Sequence, residues 1–196
     1  MYTNEERGVI IILSGPPNCG KDTAHKFLKK QLGVTLGHYR FGQPMKNFFH
    51  SVLNIRPQTY DMMMERGKDN KQADLNGHTP REVQIKLFTE FLKPMFGADI
   101  LGKIAVETLR QKPYARFVLD SGTMDELEPV IRHFGIPAFY ALKITRPGCS
   151  FEGDSRHEID FGSLGIQHDT IDNKHDLELY EVQVKRVLKK WRLVEE

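Results

Sequence analysis

Several things are scarce in this sequence, and each scarcity closes off a class of protein. It has only two cysteines, Cys19 and Cys149, too few for a disulfide framework, so a reducing compartment is expected. No apolar run approaches the ~20 residues that a membrane helix needs. The run Val9–Leu13 stops at Ser14-Gly15-Pro16-Pro17, so neither a signal peptide nor a membrane span is expected. The formal net charge is only +2, which argues against nucleic-acid and membrane partners. The 8 histidines show no pairing at metal-ligand spacing, so no zinc site is expected. A cytoplasmic protein of one domain is the expectation, since 196 residues can bury a sizeable core.

What is present is an alternation of strand and helix signals. Val9–Leu13 is a β-branched run that suits a strand buried on both faces. Ala24, Phe27, Leu28 and Leu32 then share one helical stripe, with Lys26, Lys29 and Lys30 outside it. A second strand is predicted over His38–Phe41, followed by a helix over Met45–Leu53 and helix over Met62–Arg66. Met62, Met63 and Met64 read as core filling. Thr79-Pro80-Arg81-Glu82 has the form of a capping box with proline at the first helical position, and its helix is predicted to end near Pro94. Further helices are predicted over Ala98–Arg110 and Glu126–His133, and further strands over Phe117–Leu119, Phe139–Thr145 and His168–Ile171. The last helix carries Leu177, Tyr180, Val184, Val187, Leu188 and Trp191 on one face. Such alternation predicts an α/β fold with a mostly parallel sheet flanked by helices. Ligands in such sheets bind beyond the carboxyl ends of the strands, where Gly15 and Asp120 both fall.

The chemistry starts at Gly15-Pro16-Pro17-Asn18-Cys19-Gly20-Lys21-Asp22-Thr23. Small residues between a buried strand and an amphipathic helix let backbone N–H groups turn onto phosphates, and the helix dipole adds to this. Lys21 supplies charge for the β and γ phosphates, and Asn18, Gly20 and Thr23 complete the cradle. Asp22 stands where the usual pattern has a hydroxyl. A carboxylate beside a triphosphate calls for an intervening cation, and Mg²⁺ with its oxygen ligands fits. The alternative is an acid that merely favours the first helical turn. Cys19 lies in the same loop; the dipole could lower its pKa, although space filling is the simpler role.

The run Gly20-Lys21-Asp22-Thr23 resembles the deoxynucleoside monophosphate kinases of bacteriophages and, more distantly, animal phosphomevalonate kinase. Gly42-Gln43-Pro44-Met45-Lys46 is similar to the phage family's G-P-x-K segment. Thr79-Pro80-Arg81-Glu82 with Leu87-Phe88-Thr89-Glu90 is similar to its T-P-R run, and Arg146-Pro147-Gly148 and Asp172-Asn173 to its C-terminal part. The chain departs from the family at Phe88, where a glycine is usual, and after Asp120, where Ser121 and Gly122 follow and no arginine appears. The resemblance implies a P-loop NTPase-type three-layer fold, ATP and Mg²⁺, and a location in the host cytoplasm if the source is viral.

The resemblance also implies transfer of the ATP γ-phosphoryl to a (deoxy)nucleoside 5′-monophosphate, a reaction that asks for cations and positioning. The candidates are Lys21, Lys46, Arg81, Arg146 and Arg156, with Asp22 and Asp120 handling the metal and Lys46, Arg81 and Asp120 the acceptor. Arg81 in the first turn of a helix opposes the dipole, which makes sense if an anion occupies that end. The acceptor region is expected over about 42–95. Asp154, Arg156, His157 and Glu158 lie in a polar segment, 147–162, long enough to close as a lid. Nucleotides are the expected small-molecule partners, and homodimerisation is left open. A kinase for another small phosphorylated metabolite, and a nucleotide-binding protein without transfer activity, stay open as alternatives.

Overall fold

A computed structural model describes residues 8–33, 35–112, 116–120, 122–154 and 157–195. Its centre is a five-stranded sheet made of β1 (Val9–Ser14), β2 (Leu36–Tyr39), β3 (Arg116–Asp120), β4 (Phe139–Thr145) and β5 (Gln167–Asp172). The strand order is β2-β3-β1-β4-β5 and every neighbouring pair is parallel. The chain therefore leaves β1 for the far edge, returns beside it as β3, and then crosses to its other side as β4. That reversal opens a crevice at the carboxyl end of β1, the usual ligand position in open parallel sheets.

β1 reads as an unbroken apolar run because both of its faces are covered. Ile10 and Ile12 pack into a core with Leu101, Ala105 and Leu109 of α6 (Ile100–Arg110) and Leu127 and Val130 of α7 (Met124–Phe134). Ile11 and Leu13 face the other way, onto Ala24 and Leu28 of α1 (Lys21–Leu32) and Tyr180, Val184 and Leu188 of α8 (Leu177–Lys190). The sheet with helices on both faces is the three-layer P-loop kinase-type arrangement expected from the sequence. A third, smaller cluster of Phe49, Ile55, Tyr60, Met63 and Leu75 lies under α2 (Gln43–Ser51) and α3 (Pro57–Arg66).

Several local expectations need correction. The helix that starts at Thr79 ends at Phe96, near Pro94 as expected, but it is not uniformly α-helical. α4 (Pro80–Lys86) passes into a π-helical stretch, Leu87–Leu92, and then α5 (Lys93–Phe96). Proline cannot donate the usual i→i−4 bond and clashes with that carbonyl. The widened turn, in which the Lys93 N–H bonds the Phe88 carbonyl five residues back, carries the chain past it. α7 begins at Met124, two residues before the predicted start, because Thr123 and Glu126 form a capping box. Leu177 is exposed, since as the first helical residue it precedes the part of α8 that packs on the sheet. Of Met62, Met63 and Met64 only Met63 is buried, and Met62 is 60% exposed.

Candidate phosphate-binding site

The loop between β1 and α1 has the backbone its residues call for. Gly15 (φ 156°) and Gly20 (φ 109°) take conformations that side chains rarely adopt, and Asn18 (φ 62°) is left-handed. A Cβ on Gly15 would lie 2.3 Å from the Ile144 carbonyl oxygen, so the loop is pressed against β4. The Lys21 amine turns back into the loop and donates to the Gly15 and Pro16 carbonyls, each at 2.7 Å. A cation is thus gathered at the carboxyl end of β1, where α1 begins with Asp22 and Thr23 in its first turn.

The C-terminal part of the chain fastens this loop. Asn173, one residue past β5, donates from Nδ2 to the Cys19 carbonyl at 2.8 Å, and its N–H donates to Thr145 at 2.8 Å. The Tyr180 hydroxyl donates to the Gly20 carbonyl at 3.1 Å. Arg146, at the end of β4, reaches the Asn18 carbonyl at 3.4 Å. Cys19 is fully buried, and burial outweighs the nearby Lys21 charge and raises its pKa. That is opposite to the lowering a helix dipole would give, and it leaves Cys19 a space-filling residue.

Beside the loop lies a polar cluster that the sequence reading found only in part. Leu13 of β1 pairs with Asp120 of β3, which puts the acid one strand away from the loop. His38 Nε2 is 3.0 Å from Asp120 Oδ1; an ionised carboxylate only accepts, so Nε2 carries the proton. Arg40 follows β2 and donates from Nε to Asp120 Oδ2 at 2.9 Å and from an amino nitrogen to Asp22 Oδ1 at 2.6 Å. Burial raises the Asp120 pKa, but the hydrogen bonds and charges of His38 and Arg40 together prevail and lower it. His25 of α1 stacks on His38 at 3.9 Å between ring centroids. Its pKa falls to about 4, first from burial and then from the His38 charge.

Of the expected acceptor-site residues, Lys46 joins this cluster and Arg81 stands apart from it. A cavity of about 490 Å³ is lined by Asp22, Arg40, Lys46, Tyr60, Asp61 and Gln84, among others. Lys46 is held there by Asp61 at 2.7 Å and lies over the Tyr60 ring. Arg81 is half-exposed and pairs with Asp69 at 2.6 Å, which supplies an anion at that helix start from within the chain. From the same helix, Gln84 faces the cavity instead and donates to the Tyr60 hydroxyl at 2.6 Å. In the segment expected as a lid, Lys143 pairs with Glu158, while Ile159 and Phe161 are buried in the core. Arg156 lies outside the described residues.

Arg40, His38 and His25 were missed by the sequence reading. The available signal was His38-Tyr39-Arg40, two basic residues two positions apart on one face at the end of an apolar strand. Asn173 entered only through the family resemblance, and nothing in its neighbours marks it as a clamp.

The donor set fits Mg²⁺. Asp22 and Asp120 are hard oxygen donors bridged by a single guanidinium, and this ion is commonly held by one or two carboxylates with water and phosphate oxygens. Among the described residues no group of three or more His, Cys, Asp and Glu gathers into a closed metal cage. No helix among them is long and apolar enough to cross a membrane.

No family model matches the chain, and no curated protein matches it. Among solved structures it is similar to an unliganded sugar kinase from Janibacter sp. HTCC2649, at 14% identity and TM-score 0.39, over 93% of this chain and 93% of that one. It is also similar to a protein from Chloroflexus aurantiacus with a provisional kinase assignment, at 16% identity and TM-score 0.46, over 94% of this chain and 98% of that one.

Proposed function

We propose that the chain is an ATP-dependent kinase that transfers the γ-phosphoryl group to a (deoxy)nucleoside 5′-monophosphate. The observation that carries this reading is the loop Gly15–Lys21, whose glycines take backbone conformations that side chains rarely adopt, with the Lys21 amine turned back into it. In the reaction an oxygen of the acceptor phosphate forms a bond to the γ-phosphorus. The bond from that phosphorus to the β–γ bridging oxygen breaks, and its electron pair leaves with ADP. The acceptor oxygen is already anionic, so no strong base is needed.

The protein's part is positioning and charge. Backbone N–H groups of the loop and the start of α1 cradle the triphosphate. Lys21 exchanges its two carbonyl partners for phosphate oxygens. Asp22 and Asp120 would hold Mg²⁺, whose charge neutralises that of the phosphates. Lys46 serves the acceptor phosphate from across the cavity, and Arg81 joins it on leaving Asp69. Arg146 approaches from the end of β4, and Arg156 is proposed to join the reacting phosphates from the lid segment. One catalytic unit is proposed, with the acceptor region over about 42–95 and a lid within 147–162 whose far end is tied down by Ile159 and Phe161.

The test is an ADP-release screen with each deoxynucleoside and nucleoside monophosphate, with phosphomevalonate included. Monophosphate-dependent ADP that falls by several orders of magnitude in Lys21→Ala supports the proposal. ADP release that depends only on phosphomevalonate makes the chain a metabolite kinase. ATP binding without any acceptor-dependent turnover makes it a binding protein.

A further inference from the structure

Arg40 has two partners that the proposed chemistry needs for other work. Its guanidinium links Asp120 and Asp22, the carboxylates that suit a divalent cation. It is also a cation beside the acceptor cavity, in a chain that has no arginine directly after Asp120. The two bonds differ in strength. The Asp120 side chain is 21% exposed, whereas that of Asp22 is 76% exposed, so solvent weakens the Arg40–Asp22 pair far more. The Nε bond to Asp120 can therefore persist while the amino edge of the guanidinium is given up. Once separated from Asp22, that edge is a two-donor fork beside a cavity that Lys46 also lines. Lys46 alone is a point charge and is partly neutralised by Asp61.

The geometry points to Arg40 as the arginine that grips the acceptor phosphate, held in reserve by Asp22. Arg40 releases Asp22 when a divalent cation binds there, and stays anchored to Asp120, which serves the cation through water, as it turns to the phosphate. Metal loading and acceptor binding then favour one another, because each is opposed by the same Arg40–Asp22 pair. This inference rests on the kinase reading above.

The experiment uses the full chain as wild type, Arg40→Gln and Arg40→Lys, with melting curves to establish folding. Mn²⁺ alone is titrated by electron paramagnetic resonance. Then dAMP, dCMP, dGMP and dTMP are each titrated by calorimetry at saturating Mn²⁺, with ATP titrated separately. In Arg40→Gln, Mn²⁺ should bind roughly two- to fivefold tighter, the worth of an exposed ion pair that no longer competes. The preferred monophosphate should bind roughly ten- to a hundredfold more weakly, and ATP should bind as before. Arg40→Lys should fall between, since an ammonium lacks the fork. These opposite shifts mark the exchange, because a strut that merely holds two acids together would weaken both ligands when removed. Monophosphate binding as tight in Arg40→Gln as in wild type, or Mn²⁺ affinity unchanged or lowered, overturns the inference and leaves the kinase reading standing. Wild-type protein that binds none of the monophosphates overturns both. Should Arg40→Gln fail to fold, Arg40→Lys decides by the same two directions.

Discussion

Replacing Gly20 by alanine tests the loop where its geometry is most exacting. Gly20 has φ 109° and ψ 20°, and holding a residue with a Cβ there costs about 1–2 kcal/mol. The new Cβ would lie 2.5 Å from Asn173 Nδ2, the atom that donates to the Cys19 carbonyl. Asn173 must swing away, and the lost hydrogen bond adds about 1 kcal/mol. At about 2–4 °C per kcal/mol for a chain of this size, Gly20→Ala should melt roughly 5–10 °C below wild type.

The assay is thermal melting by circular dichroism together with ATP titration. Gly20→Ala should also bind ATP more weakly, because Gly20 belongs to the proposed phosphate cradle and loses the Asn173 bond that fastens it. A double-mutant cycle sharpens the test. In an Asn173→Ala background the excess cost of Gly20→Ala should disappear, since the clashing atom is gone. If Gly20→Ala costs as much in the Asn173→Ala background as in wild type and leaves ATP binding unchanged, the Asn173 clamp is not what shapes this loop, and the reasoning fails.

Asp22→Asn should raise the Mg²⁺ concentration for half-maximal rate, and Asp22→Ser should keep more activity than Asp22→Ala; identical Mg²⁺ titrations in all three would leave Asp22 a helix-start acid. Arg81→Ala should raise the KM for the monophosphate and spare that for ATP, whereas Asp69→Asn, which unties Arg81, should lower the monophosphate KM. If the ATP constant responds in place of the acceptor constant, Arg81 serves the wrong substrate for this proposal. His25 has its pKa lowered to about 4 by burial, and then by the His38 charge and by Arg40 and Lys29 against the opposing pull of Asp120. Below about pH 6.5 the unfolded chain takes up a proton that the folded one refuses until about pH 4. Stability should thus fall by about 1–3 kcal/mol as pH drops through that window. His25→Gln should flatten this slope in melting curves, and an undiminished slope would refute it.

Most of the fold was legible in the sequence because most of it is set by local patterning. β4 has the predicted ends, Phe139–Thr145, and the Thr79–Glu82 capping box forms as its residues dictate. The misses share a cause. A helix that crosses Pro94 by widening one turn depends on Leu87, Phe88 and Leu92 being held against the core, and no window of sequence reports that packing. Leu177 continues the spacing of the buried face, but periodicity does not say where along its length a helix meets the sheet.

The site divides along the same line. Gly15, Asn18, Gly20 and Lys21 were legible because a loop that cradles phosphates must be encoded in consecutive residues, where spacing is visible. Arg40 was not, since its importance lies in Asp22 and Asp120, eighteen positions upstream and eighty downstream. What joins them is strand order: β2 lies next to β3 and β3 next to β1, so Asp120 at the end of β3 and Asp22 at the start of the helix that follows β1 come within reach of the Arg40 guanidinium. The fork of Arg40 bonds both carboxylates at once, a geometry an ammonium could not reproduce. Asp22 therefore cannot be understood as a metal ligand or as a helix-start acid in isolation. Its charge is shared with Arg40, so a cation that binds Asp22 competes with that arginine.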